Sequence, residues 1–256
     1  MNRREAIGAL AASPLALTAQ TMQNSKRQYY ELRYLQMRNG TQPARANEFF
    51  SKHFQPTARK IGMGPVGFFN PVFGDNSPFT LMLLTYPTFA DAEHMFDRLM
   101  ADKDFEAAIN EWHKPMDPGY TRKESTILRA FEGHPQLVMP PASKTGHIFE
   151  LRTYESNSEL TLRKKIGMFN GGEMQIFQRL GMNPVFFGEA LIGSRLPHLT
   201  YMLAYEDIAA RDRMWKAFGA DPEWQKLRAT PGLSDAEIVS NISNTILRPA
   251  AYSDIK

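Results

Sequence analysis

The chain has no cysteine, which removes disulfides, thiolate metal sites and cysteine nucleophiles from the chemistry open to it. It has little net charge, +3 over 256 residues, and its basic side chains are scattered. The electrostatic footprint of a nucleic-acid binder is therefore lacking. No apolar run is long enough to span a bilayer. The six histidines include no His-x-x-x-His pair, so no metal spacing is present, and neither a glycine-rich phosphate loop nor a Gly-x-Ser-x-Gly elbow occurs. What remains is an ordinary apolar fraction, 43%, enough for a packed core rather than a disordered chain.

The first residues read as an address. Arg3 and Arg4 precede a weakly apolar stretch of small residues, Gly8 to Ala19, that is too short to cross a membrane. Paired arginines before such a stretch resemble a twin-arginine export signal. Residues 1–27 are accordingly expected to be signal peptide and short leader, cut near residue 19, and the mature chain to be periplasmic or secreted. Glu5, close behind the pair, departs from the usual pattern.

An internal repeat sets the expected architecture. Tyr30-Glu31-Leu32-Arg33 recurs as Phe149-Glu150-Leu151-Arg152, 119 positions on. In the same register, Ile61-Gly62-Met63-Gly64-Pro65-Val66 recurs as Leu180-Gly181-Met182-Asn183-Pro184-Val185, and Thr126-Ile127-Leu128-Arg129 as Thr245-Ile246-Leu247-Arg248. Each half reads β-α-β-β-α-β: strands near 28–38, 65–73, 79–86 and 121–131, with helices over 43–60 and 89–100, and the same order in the second half. Short extra helices are expected around 103–113 and 222–229. The class is α+β: two ferredoxin-like repeats, 28–131 and 146–250, joined by a linker over 132–145. Each sheet has one face without helices, and the two repeats are expected to cover those faces sheet to sheet, as an intramolecular dimeric α+β barrel.

The Glu-Leu-Arg strand starts, the Gly-Met-x-Pro-Val turns and Asp221-Pro222-Glu223-Trp224 together resemble the NIPSNAP family, across nearly all of 28–250. The first half departs at the last motif, with Asp102-Lys103-Asp104-Phe105. The resemblance implies a dimeric α+β barrel fold and supplies no catalytic residue set, so function has to come from the site.

Strand alternation puts Tyr30, Leu32 and Tyr34 on one face and Glu31 and Arg33 on the other, with Glu150 and Arg152 likewise in the second half. The apolar set is expected to meet the helices, leaving Glu31, Arg33, Glu150 and Arg152 in the barrel interior, as docking ion pairs or ligand contacts. In the second half's first helix, Glu173 interrupts an apolar stripe at the position of Phe54, and a carboxylate so placed is a candidate acid or base. The pair Gly171-Gly172 could instead turn it outward. His53, at the edge of the first helix's buried stripe, is the best-placed histidine for a pocket, and His198 starts a strand that reaches a barrel mouth. No cofactor and no metal are called for. Two functions stay open: binding of a small molecule or a protein partner, and cofactor-independent monooxygenase or isomerase chemistry. Haem on a pocket histidine is a third reading. Oligomerisation is left open.

Overall fold

The computed structural model describes residues 26–73, 76–114, 116, 118–143 and 145–256. The leader, with Arg3, Arg4 and the expected cut near residue 19, lies outside the described residues.

The first half runs β1 (Tyr29–Gln36), α1 (Thr41–Phe49), a π-helical turn (Phe50–Phe54) and α2 (Gln55–Lys60). It continues with β2 (Gly67–Phe73), β3 (Phe79–Tyr86), α3 (Phe89–Glu93), α4 (Met95–Met100), α5 (Lys103–Trp112) and β4 (Arg122–Ala130). The second half repeats this as β5 (Ile148–Glu155), α6 (Glu159–Met168), a π-helical turn (Phe169–Glu173), α7 (Met174–Arg179), β6 (Pro184–Ile192) and β7 (His198–Tyr205). Then come α8 (Ile208–Ala220), α9 (Pro222–Arg228), α10 (Asp235–Ile238) and β8 (Asn241–Pro249). Only α10 was absent from the sequence-based expectation.

Local chemistry fixes the boundaries. The first long helix of each half ends on a glycine with positive φ, Gly62 at 69° and Gly181 at 76°. The next amide bonds back five residues, Met63 to Ala58 and Met182 to Phe177, which satisfies carbonyls left open at a helix end. Asp102 and Asp221 each accept two amides at the starts of α5 and α9.

Within each half the strand order is β4-β1-β3-β2 or its counterpart β8-β5-β7-β6, all antiparallel. The halves do more than stack their faces. Edge strand β2 pairs with β8, and β4 pairs with β6, so eight strands close into one barrel. Closure leaves no free edge to aggregate. No helix among the described residues is long and apolar enough to cross a membrane.

Three packed clusters follow. The barrel interior holds Tyr30, Leu32, Phe149, Leu151, Phe69, Phe186 and Met202 from both halves. One helix–sheet layer packs Leu35, Phe49, Phe50, Phe54, Phe68 and Phe105, and the other Phe169, Phe177, Tyr201, Trp224 and their neighbours. This reverses the expected facing. The apolar alternates of β1 and β5 fill the barrel, while Glu31, Arg33, Glu150 and Arg152 lie beneath the helices of their own half. The interior is walled mainly by strands, whereas the helix layer brings side chains that can neutralise a buried carboxylate, and an unpaired charge would be costly in either place.

The two barrel ends differ. The segment after β4 crosses one end, with Val138 N–H donating to Val185 and Leu137 N–H to Gln28 Oε1. The fully buried Ile255 joins the interior cluster beside Gly67 at the same end. At the other end, where β1 and β5 finish, a cavity opens.

Candidate functional site

In the second half, the sheet–helix layer is occupied by a polar network. Glu150 is fully buried and accepts from Arg152 Nη1 at 3.0 Å, Arg211 Nη2 at 2.6 Å, Arg211 Nε at 3.1 Å and Trp215 Nε1 at 2.7 Å. Burial pushes its carboxyl up, but the Arg211 hydrogen bonds and the Arg152 charge outweigh that and hold it below the usual range. Arg152 spends its other donors on Tyr201 and Tyr154, at 2.9 and 3.0 Å, and its guanidinium carbon lies 4.3 Å from the Trp215 ring centroid.

Glu173 is buried in the π-helical turn of the same layer. Gly172, at φ 156°, takes up the distortion that aims Glu173 inward, so the glycine pair does not turn it to solvent. Its partner is Lys165, also buried, with Nζ 3.2 Å from Glu173 and 3.3 Å from Asp235. The ammonium is also ringed by Tyr154, Phe169 and Trp224 at 5.2 to 5.4 Å. Burial raises the Glu173 carboxyl and Lys165 partly opposes this, while Glu173 and Asp235 lift Lys165 above its ordinary range against the effect of burial.

In the first half the conserved part of that network is small. Glu31 accepts from Arg33 Nε and Nη2 at 2.8 and 3.0 Å, from Tyr86 at 2.9 Å and from Ser125 at 2.6 Å. The remaining network positions, shifted by 119, are apolar: Leu35 for Tyr154, Ala46 for Lys165, Phe54 for Glu173, Met82 for Tyr201, Ala92 for Arg211 and Phe96 for Trp215. The side chains that fill the second half are thus shortened or uncharged in the first, and a cavity of about 340 Å³ takes their place.

That cavity has a floor of Phe49, Phe50, Phe54, Met82, Leu99 and Phe105, and a rim that includes Arg33, His113, Tyr120 and Lys123. The helix over it is interrupted: α3 ends at Glu93 and α4 begins at Met95, where the second half has the continuous α8. Phe96, the counterpart of the stacked Trp215, is 50% exposed at the mouth. Burial, followed by the charges of Lys123 and Arg45, holds the His113 imidazole below its usual range, so the rim has a positive field and a neutral histidine. Trp112 lines the cavity. It is 6% exposed, and its indole N–H has no acceptor among the described residues.

The structure does not bring the predicted site residues together. Glu173 belongs to the second-half network. His53 is half-buried outside the first-half core, tilted against Phe49 with ring centroids 6.1 Å apart, beside a shallow groove shared with Glu48 and Glu111. His198 is buried on the interior face of β7, with Nδ1 3.2 Å from the Arg195 carbonyl, and burial lowers its pKa. The first-half cavity was missed by sequence reasoning. Its signal was the same 119-residue comparison that exposed Glu173, applied to the lining residues Leu35, Met82 and Phe96.

Comparison with known proteins agrees with the two-unit architecture. The NIPSNAP family's sequence profile matches residues 30–132 and again 149–254. No curated protein matches the chain. Among solved structures, a candidate monooxygenase from Lactobacillus acidophilus is similar over 87% of this chain and 94% of its own, with 10% identity and a TM-score of 0.59. An anthrone oxidase-like protein is similar over 88% of this chain and 92% of its own, with 11% identity and a TM-score of 0.54. A NIPSNAP-like domain protein from Burkholderia xenovorans covers 43% of this chain and 90% of its own, with 23% identity and a TM-score of 0.38. At these identities the likeness to the first two is one of fold.

Proposed function

Since the chain belongs to the NIPSNAP family, whose membership names no reaction, we propose that it is a small-ligand binding protein whose ligand enters the first-half cavity. The ligand is a largely apolar, ring-containing molecule with one anionic or strongly accepting group. The observation that carries this reading is the cavity itself, with a floor of Phe49, Phe50, Phe54, Met82, Leu99 and Phe105 and Lys123 at its rim. The cavity volume, about 340 Å³, falls in the range of small-molecule sites, and apolar walls with a few polar groups are their common form. Lys123 supplies charge for the anionic group, while Arg33 is held by Glu31. The leader with Arg3 and Arg4 is read as sending the protein across the inner membrane, and the N-terminal residue of the protein recovered from its own host tests that.

Anilinonaphthalene sulfonate, apolar with a single anionic group, is a suitable probe. Fluorescence titration should give saturable binding of one probe per chain. Ile109→Trp, which fills the cavity from α5, and Lys123→Gln, which removes rim charge, should each weaken it roughly tenfold, about 1.4 kcal/mol. Unsaturable binding, or binding indifferent to both changes, would sink the reading. The alternative is a cofactor-independent monooxygenase or isomerase using the same cavity. It expects oxygen uptake or a new product on incubation with anthrone, where the binding reading expects the compound back unchanged.

A further inference from the structure

The open end of the barrel forms a second cavity, of about 450 Å³, between the two halves. It is separate from the first-half cavity because it lies on the interior face of the strands rather than under the helices. Its lining includes Tyr34, Glu124, Thr153, Arg195, Ser243 and Thr245.

The wall is built by register. Tyr34 on β1 sits opposite Glu124 on β4, and Thr153 on β5 opposite Ser243 on β8 and Thr200 on β7. These rows share the inward face with Tyr30, Leu32, Phe149 and Leu151, so the apolar interior ends in a ring of polar side chains. The Tyr34 ring packs against Phe79 with centroids 5.4 Å apart, giving an aromatic surface at the mouth.

Three features narrow the ligand. The hydroxyls of Tyr34, Ser243 and Thr245 have no side-chain hydrogen bond among the described residues, whereas Thr153 is already matched to Thr200 at 2.9 Å. Burial pushes the Tyr34 phenol up to about 12, so it stays a neutral donor and acceptor. The two rim charges are already engaged: Arg195 with Glu155 at 3.4 Å, and Glu124 with Gln36 at 3.3 Å and Arg122 at 3.7 Å. A charged ligand would have to break those pairs. A neutral molecule with many hydroxyls would not, and its C–H face suits the Tyr34–Phe79 surface.

We propose that the barrel mouth binds a neutral polyhydroxylated molecule of about monosaccharide size, held by the Tyr34, Ser243 and Thr245 hydroxyls against the Tyr34–Phe79 aromatic surface. This site is independent of the first-half cavity and of the ligand proposed for it.

Saturation-transfer NMR on the full chain with methyl glucoside and with inositol tests this, with tetrahydropyran as a ring lacking hydroxyls. Transfer to at least one of the two polyols should exceed that to tetrahydropyran. The Ser243→Ala/Thr245→Val double variant and Tyr34→Phe should each weaken polyol binding roughly fivefold, as the loss of one or two hydrogen bonds implies. Both variants should keep the parent's affinity for anilinonaphthalene sulfonate, which shows that they are folded and separates the two sites. No excess transfer to either polyol overturns the proposal, as does transfer unchanged in both variants. If polyols bind while the sulfonate does not, the first-half reading fails and this one stands.

Discussion

Lys165 Nζ lies 3.2 Å from Glu173 Oε2 in a fully enclosed ion pair, and the two positions correspond to Ala46 and Phe54 in the first half. The same backbone thus holds a charged pair once and an apolar pair once. Removing Lys165 strands a buried carboxylate, and removing Glu173 leaves the ammonium with Asp235 as its one remaining carboxylate among the described residues. Lys165→Ala should cost about 3–5 kcal/mol and Glu173→Phe about 1–3 kcal/mol, whereas the two combined should be close to neutral or stabilising. Urea denaturation of the three variants gives the coupling. Additive single and double effects would show that the pair does not act as a unit.

Glu150 and Glu31 should differ in the same experiment. Glu150 neutralises two guanidiniums, those of Arg152 and Arg211, and Glu150→Ala should cost about 3–5 kcal/mol. Glu31 pairs with Arg33 alone among the described cations. Arg33 is half-buried at the cavity rim and can turn toward water, so Glu31→Ala should cost about 1–3 kcal/mol. Equal losses would contradict this asymmetry.

Acid should weaken the fold in the histidine range. Burial is the leading cause that holds His113, His134 and His198 below the usual value. The unfolded chain then binds protons more readily than the folded one, so stability falls as pH drops through about 6.5. Glu150, held low, adds a further loss only below the usual carboxylate range. Urea midpoints measured about one unit above and one unit below pH 6.5 should decrease toward acid. A flat profile would mean that these rings are not buried in solution.

The His113 ring gives a second readout of the first-half cavity. An anion on the rim would offset the Lys123 and Arg45 charges that favour its neutral form. Binding of anilinonaphthalene sulfonate should therefore raise the His113 pKa, followed by NMR of the ring protons. A pKa that stays put with the probe bound would place the probe elsewhere.

The seam between β4 and β6 can be probed at Gly188. A Cβ there would sit 2.8 Å from the Leu128 Cβ, with backbone on both sides and little room to yield. Gly188→Ala should cost about 1–3 kcal/mol. Gly167→Ala serves as the control, because a Cβ there meets nothing within 4 Å. Equal stabilities would mean that the two halves do not close at this seam.

Much of the architecture was legible because the chain states it twice. The bounds of β3 coincide with the expected 79–86, since proline lies on either side of its strongly apolar run. The facing of β1 and β5 was not legible. In a closed barrel with helices outside, both strand faces are buried, as the uniformly buried β3 and β7 show, so alternation separates the faces without saying which is inside. Glu173 was visible as a charge in an apolar stripe. Lys165 was not, because a lysine on an amphipathic helix reads as solvated until its neighbours are known. The first-half cavity is a deficit of side-chain volume, which shows only when positions 119 residues apart are compared.

Closure of both repeats within one chain has a genetic consequence. In a barrel built from two identical subunits, any change to the helix layer is made twice, and a cavity in one subunit is matched by a cavity in the other. Here a codon change at Ala92 leaves Arg211 untouched. One layer is therefore free to be rigid, crowded with ion pairs and committed to holding the barrel, while the other gives up packing for an opening. The unequal layers of this chain are a division of labour that a symmetric homodimer could not encode.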